Sequence, residues 1–150
     1  MFNVVLIEPE IPPNTGNIGR LCMAAGARLH LVGPLGFSLD DRSLKRAGLD
    51  YWPELDLSQW QCFEELQTAA DDSAAFYFLT TKSDKAYWEV DFNDNDYIVF
   101  GPETRGLPQS LLEEYESNAL TIPQKKGRSL NLATSVGIVL YESVRQLSSS

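Results

Sequence analysis

Residues 122–142, IPQKKGRSLNLATSVGIVLYE, constrain the fold of this chain more than any other stretch. They read as three parts in series. ALTI (119–122) is the end of a buried strand, PQKKGR (123–128) is a polar loop with three positive charges, and a helix follows from Ser129. Leu132, Val136, Val139, Leu140, Val144 and Leu147 recur mostly three or four apart, the period of one helix face. Ser129 is the expected N-cap, because its hydroxyl can accept an orphan amide N–H of the first turn. Glu142 and Arg145 are the only charges between positions 129 and 150, so the helix is expected to be covered on more than one face. A polar loop running from a strand end into a helix N-terminus is where open α/β sheets place their ligands.

The rest of the chain repeats the alternation. FNVVLI (2–7) reads as a strand, which the prolines of EPEIPP (8–13) end. Ile18, Leu21, Cys22 and Ala25 fall at helical spacing, with Asn14 or Thr15 as the expected cap and Gly26 as the stop. RLHLV (28–32) is the next strand. DDRSLKRA (40–47) reads as a short helix with acids first and bases last, and 49–57 as irregular. The spacing predicts an amphipathic helix over 58–70 with Trp60, Phe63 and Leu66 inward. AAFYFLT (74–80) and YIVF (97–100) read as strands, and 110–115 as a short helix. This order implies a single α/β domain over 1–150, a mostly parallel sheet with helices on both faces. Loops after Leu79, Phe100 and Ile122 would meet at one sheet edge as a single pocket. NTGNIG does not fit the G-x-G-x-x-G dinucleotide fingerprint.

Charge and cysteine usage narrow the function. The net charge of −9 argues against nucleic acid until its distribution is considered. From Arg20 to Arg46 there are five basic and two acidic residues, a balance of +3, and from Lys125 onward four basic and one acidic, again +3. The stretch between holds sixteen acidic and three basic residues, −13. The two basic segments are either one positive face or ordinary solvated surface. Cys22 and Cys62 have no metal-ligand spacing, which fits a reduced, cytoplasmic protein. His30 is the only histidine, which excludes multi-His metal sites, and its mid-strand position marks it as structural. No apolar run is long enough to span a bilayer, and no signal peptide is expected.

Three segments carry the chemistry: NTGNIGR (14–20), GPETRGLP (101–108) and IP…RSLNLATSV (122–136). In this order they resemble the three motifs of the SPOUT superfamily of RNA methyltransferases, and RLHL, RAGLDY and LTTK extend the likeness over nearly the whole chain. Within it the chain is similar to the small single-domain branch that 2′-O-methylates the wobble nucleotide, C34 or U34, of tRNA. The resemblance implies a C-terminal deep trefoil knot, S-adenosylmethionine as methyl donor, no metal, a homodimer, and the tRNA anticodon stem-loop as substrate. It implies cofactor contacts at Leu79, Thr80, Gly101, Pro102, Gly106, Ile122, Ser129 and Leu130. Arg20 matches the motif-one arginine near the methyl group, contributed by the neighbouring subunit. A guanidinium is almost never neutral, so Arg20 would hold a phosphate or the developing oxyanion rather than act as a base. Asn14, Asn17, Glu103, Ser129 and Asn131 are the polar candidates to orient it. Arg42, Lys45, Arg46 and Arg128, with Lys125 and Lys126, are candidates for tRNA phosphates. Trp52, Trp60 and Trp88 read as core or dimer contacts, and Cys22 as core.

Three other readings compete with this one. They are a same-fold methyltransferase acting on rRNA, a catalytically silent RNA-binding homologue, and a small-molecule α/β enzyme. The joint presence of Arg20, Glu103, Ser129 and Asn131 opposes the silent homologue. The small-molecule enzyme predicts no RNA retention even at low salt.

Overall fold

The computed structural model describes residues 1–40, 42–48 and 52–148. Among the described residues six strands form one sheet: β1 (Asn3–Ile7), β2 (Arg28–Val32), β3 (Leu57–Trp60), β4 (Phe76–Leu79), β5 (Tyr97–Phe100) and β6 (Ala119–Leu120). Their order is β3-β2-β1-β5-β4-β6, and every pairing between them is parallel. The expected mostly parallel sheet is therefore wholly parallel. The α-helices of the described residues are α1 (Pro12–Ala25), α2 (Arg42–Gly48), α3 (Phe63–Ala69), α4 (Gln109–Glu114) and α5 (Leu132–Ser148).

The side-chain period of two sorts β1 between two cores. Val4 and Leu6 join Ile18 and Cys22 of α1 and Val136, Val139 and Leu140 of α5 on one face. Val5 and Ile7 join Leu66 of α3 and Leu112 of α4 on the other. Helices thus cover both faces, and the apolar stripe of α5 is buried as its spacing predicts. Among the described residues no helix is long and apolar enough to cross a membrane.

Two local expectations are corrected. Residues 58–70 do not form one helix. Leu57–Trp60 is a strand paired with β2, from Leu29↔Leu57 to Val32↔Trp60, and the helix begins only at Phe63. Sheet pairing overrides the helical period here, and the Trp60 indole N–H donates to Nδ1 of buried His30 at 3.1 Å. The first helix begins at Pro12 rather than at Asn14 or Thr15, with two prolines in its first turn, where a missing N–H costs nothing. Gly26 ends it at φ +70°, as expected. Gly19, one of the motif glycines, lies inside α1, where a Cβ would come within 2.9 Å of the Trp52 ring. Its role is close packing against Trp52 and Leu55. The expected helix over 40–47 is seen as Arg42–Gly48, with Asp41 and Tyr51 outside the described residues.

The loop over residues 80–87 grips β6 and the residue after it from both sides. The Thr80 amide donates to the Leu120 carbonyl at 2.9 Å. Across the strand, the Thr121 amide donates to the Lys85 carbonyl at 2.7 Å and the Tyr87 amide to the Thr121 carbonyl at 2.9 Å. The Ser83 hydroxyl adds a bond to the Ala119 carbonyl at 2.6 Å. From β6, at the sheet edge, the chain returns to lay α5 against α1 and β5.

Candidate functional site

A cleft of about 260 Å³ lies at the carboxyl ends of β4, β5 and β6. The loops after these three strands line it together, as the strand-end reading expects. Leu79, Thr80, Gly101, Pro102, Gly106, Ile122, Ser129 and Leu130, the eight expected cofactor contacts, are all on its wall. Leu130 is 37 % exposed, an apolar side chain held against open space at the cleft. With Leu79, Ile122 and Leu132 it makes an apolar wall facing polar loops, a surface that suits a ligand with a flat apolar part and a polar tail. Lys82, Phe100, Leu107, Gln124 and Ser135 also line the cleft; Lys82, Leu107 and Ser135 fall within the segments that carry the resemblance, but none of the five was singled out from the sequence.

The loop over residues 101–107 owes its shape to its glycines. A Cβ on Gly101 would lie 2.4 Å from the backbone of Gly106 and Leu107, so no side chain fits there. Gly106 sits at φ +69° and donates its amide to the Pro102 carbonyl at 2.8 Å, closing the turn.

Glu103 lines the cleft, but its carboxylate is engaged elsewhere. It accepts the backbone amides of Glu10 at 2.8 Å and Ile11 at 2.9 Å, and the Asn14 side-chain amide at 3.3 Å. It therefore does at the start of α1 what a cap does, since Ile11, at the cap position, has no side chain that can. Asn14 Oδ1 in turn accepts the Asn131 amide at 3.1 Å. Asn131 Oδ1 accepts the amides of Ala133 at 2.9 Å and Thr134 at 3.3 Å, so Asn131 caps α5. This corrects Ser129 as the cap. Ser129 is exposed at the cleft, two residues before the turn it was expected to satisfy. The signal was available: Asn131 immediately precedes Leu132, the first residue of the apolar period. Asn14, Glu103 and Asn131, one from each motif, thus form a continuous hydrogen-bonded chain.

Arg20 and Asn17 lie exposed on α1, on the helix face shared with Pro13 and Ala24, and neither is part of the cleft wall. Arg42 and Arg46 are exposed on α2, which packs on α1, while the Lys45 side chain lies outside the described residues. Arg128, Lys125 and Lys126 are exposed on the loop after β6, where the Gln124 amide donates to the Arg128 carbonyl at 2.8 Å. The basic residues that follow β2 and those that follow β6 leave strands in opposite halves of the sheet. His30 is buried and doubly engaged, with Nε2 2.9 Å from Asn3 Oδ1 and Nδ1 accepting from Trp60, in keeping with a structural histidine. Burial pushes the Cys22 thiol up to about 12, which leaves it an inert core group.

Residues 1–141 match the SpoU rRNA Methylase family. The chain is 49 % identical to the tRNA (cytidine(34)-2′-O)-methyltransferase of Saccharophagus degradans, over 98 % of this chain and 96 % of that protein. A solved structure from work on the 2-OH methylation of C/U34 on tRNA superposes with a TM-score of 0.95 at 43 % identity, covering 100 % of this chain and 98 % of the other. An AdoMet-bound rRNA methyltransferase from Sinorhizobium meliloti superposes with a TM-score of 0.84 at 28 % identity, over 97 % of this chain and 56 % of that one.

Proposed function

The chain belongs to the SpoU rRNA Methylase family, and on that premise we propose that it transfers a methyl group from S-adenosylmethionine to the ribose 2′-oxygen of the wobble nucleotide, C34 or U34, of tRNA. The observation that carries this is near full-length similarity to proteins whose names state that reaction, joined to a cleft built from the loops after β4, β5 and β6, the last two of which carry the second and third motifs. The rRNA alternative draws on a neighbour of which this chain spans just over half, and is the weaker reading.

The residues divide the work as follows. Leu79, Ile122 and Leu130 offer apolar walls, Thr80, Pro102 and the backbone around Gly101 and Gly106 frame the slot, and Ser129 presents its hydroxyl at the rim. S-adenosylmethionine supplies a methyl group already activated by its sulfonium, so the protein's task is alignment of the 2′-oxygen and disposal of its proton. Asn14, Glu103 and Asn131 hold the loops in register. Arg20 stays cationic and serves the reaction by holding a phosphate that takes the 2′-hydroxyl proton, or by stabilising the developing oxyanion. Its place on the outer face of α1 favours delivery to the cleft of a second subunit, hence a homodimer. Tyr141, 43 % exposed on α5, supplies apolar surface for such a contact. Arg42, Lys45, Arg46 and Arg128 are assigned to phosphates of the anticodon stem-loop. The double-sided grip of residues 80–87 on 119–121 supports a knotted path through that loop. A tRNA substrate implies work in the cytoplasm.

Transfer of labelled methyl to bulk tRNA, followed by digestion, tests this directly. Label is expected on the 2′-oxygen of nucleotide 34, with Arg20→Ala lowering the rate about a hundredfold or more. Label on rRNA and none on tRNA would replace this reading with the alternative.

A further inference from the structure

The segment between β1 and α1 and the loop after β5 hold each other by exchanged carboxylates. Glu103 accepts the amides of Glu10 and Ile11, as described. In return, Glu10 Oε1 accepts the Thr104 amide at 2.9 Å and the Thr104 hydroxyl at 2.8 Å, and Oε2 lies 3.0 Å from the same hydroxyl. Arg105 adds an ionic layer, its guanidinium 3.5 Å from Glu8 and 3.9 Å from Glu10. Glu8 itself stands at φ +47°, a left-handed conformation that a side chain rarely adopts, so this turn is held by its surroundings rather than by local preference.

The geometry points to Glu10 as a positioning residue for the cofactor cleft. Thr104 and Arg105 lie on the cleft wall between Pro102 and Gly106, whereas Glu10 does not touch the cleft. The turn closes on itself through one backbone bond, from Gly106 to Pro102. Beside the bonds Glu103 accepts from the Glu10 and Ile11 amides, its outer limb is tied back by the pair of donors on Thr104 converging on the Glu10 carboxylate. Bonds to an ionised acceptor are stronger than neutral ones, and those from Thr104 hold the Glu10 carboxyl below its usual range. Released from Glu10, the limb would turn Thr104 to water, and the wall carrying Gly101 and Pro102 would lose its preorganised shape. This inference rests on the reading of the cleft as the S-adenosylmethionine site.

The test is calorimetric binding of S-adenosylmethionine, beside methyl-transfer kinetics, for wild type, Glu10→Ala, Glu10→Gln and Thr104→Val. Glu10→Ala is expected to weaken cofactor binding about tenfold, with the loss in KM for the cofactor rather than in kcat. Glu10→Gln keeps an acceptor for Thr104 and should recover most of the affinity. Thr104→Val, which keeps the amide and loses the hydroxyl, should lose about threefold, and it decides the question alone if Glu10→Ala does not fold. Unchanged binding in Glu10→Ala or Thr104→Val would overturn the assignment. So would a Glu10→Gln protein as weak as Glu10→Ala, since the ion pair with Arg105 would then be the agent. Wild-type protein that does not bind S-adenosylmethionine would sink the cofactor reading itself, an outcome separate from any ranking of the variants.

Discussion

The side-chain amide of Asn131 donates to Asn14 Oδ1 at 3.1 Å, joining positions 117 residues apart in the chain. Both amides are oriented without ambiguity. Asn131 Oδ1 is taken by two backbone N–H groups of α5, so its nitrogen must face Asn14. Asn14 must then turn its own nitrogen to Glu103. The direction of every bond follows from the fixed backbone donors at one end and the carboxylate at the other. The starts of α1 and α5 and the loop after β5 are thereby held in one arrangement at the cleft.

Asn131 has two separable jobs, and substitution should part them. Asn131→Asp keeps an acceptor for the α5 amides and loses the donor to Asn14. Asn131→Ala loses both. Asn131→Ala is expected to cost about 1 kcal/mol of stability, seen as a lower thermal midpoint, together with lost cofactor affinity. Asn131→Asp should keep most of the stability and still lose the affinity. Equal stability losses in the two variants would mean that Asn131 is not the cap.

Glu103 is the acceptor for two backbone amides, and a neutral amide in its place can accept through one oxygen only. Glu103→Gln would point an N–H₂ group at an N–H donor of Glu10 or Ile11. The expected cost is about 1–3 kcal/mol, read by chemical denaturation as a lower midpoint with an unchanged slope. A wild-type midpoint would show that the α1 terminus is satisfied by other means.

Gly101→Ala tests the closure of the loop. The added methyl would stand 2.4 Å from the backbone of Gly106 and Leu107, where no flexible side chain can yield. The loop must open, so S-adenosylmethionine binding is expected to fall by at least tenfold, the equivalent of about 1.4 kcal/mol. Gly106→Ala has free space around its Cβ and fails for a different reason, its φ of +69°. Titration of the cofactor against both variants checks this, and wild-type affinity in Gly101→Ala would contradict the crowding.

The alternation of strand and helix, the burial of the apolar stripe of α5 and the meeting of three loops at one edge were legible in the sequence, because each follows from a period or from where polar residues interrupt an apolar run. Residues 58–70 were not. A strand ending in Trp60 and a helix starting at Phe63 together mimic one helical period, and only the pairing with β2 separates them. The Glu10–Thr104 clasp was invisible for another reason. It depends on two loops 94 residues apart being neighbours, and no local pattern records that. Glu103 was legible as a polar group near the site, yet the two backbone amides it accepts leave no trace in residue type, whereas Asn131 was readable as a cap from its place just before Leu132.

His30 should give the protein a pH dependence with a definite sign. Its ring is buried between Asn3 and Trp60, and burial, with Arg28 nearby, lowers it from 6.5 to about 4, against a smaller opposing pull from Asp56. Trp60 donates to Nδ1, so the neutral ring donates from Nε2 to Asn3, and protonation would place two donors face to face. In the unfolded chain the imidazole takes a proton near its ordinary value, and in the folded chain only near 4. Stability is therefore full above about 6.5 and declines as pH falls toward 4, by about 1.4 kcal/mol per pH unit and about 3 kcal/mol in all. The carboxylates held below their ordinary range, Asp71, Asp94, Glu142 and Glu10, lose their contribution only as pH falls below about 4.5. The window from 6.5 to 5 thus belongs to His30, the only histidine in the chain. Denaturant unfolding at pH 7.5, 6.5, 5.5 and 5.0 should show the decline in wild type and a flat line in His30→Gln. A flat wild-type profile would mean that the folded ring accepts its proton as readily as the unfolded one.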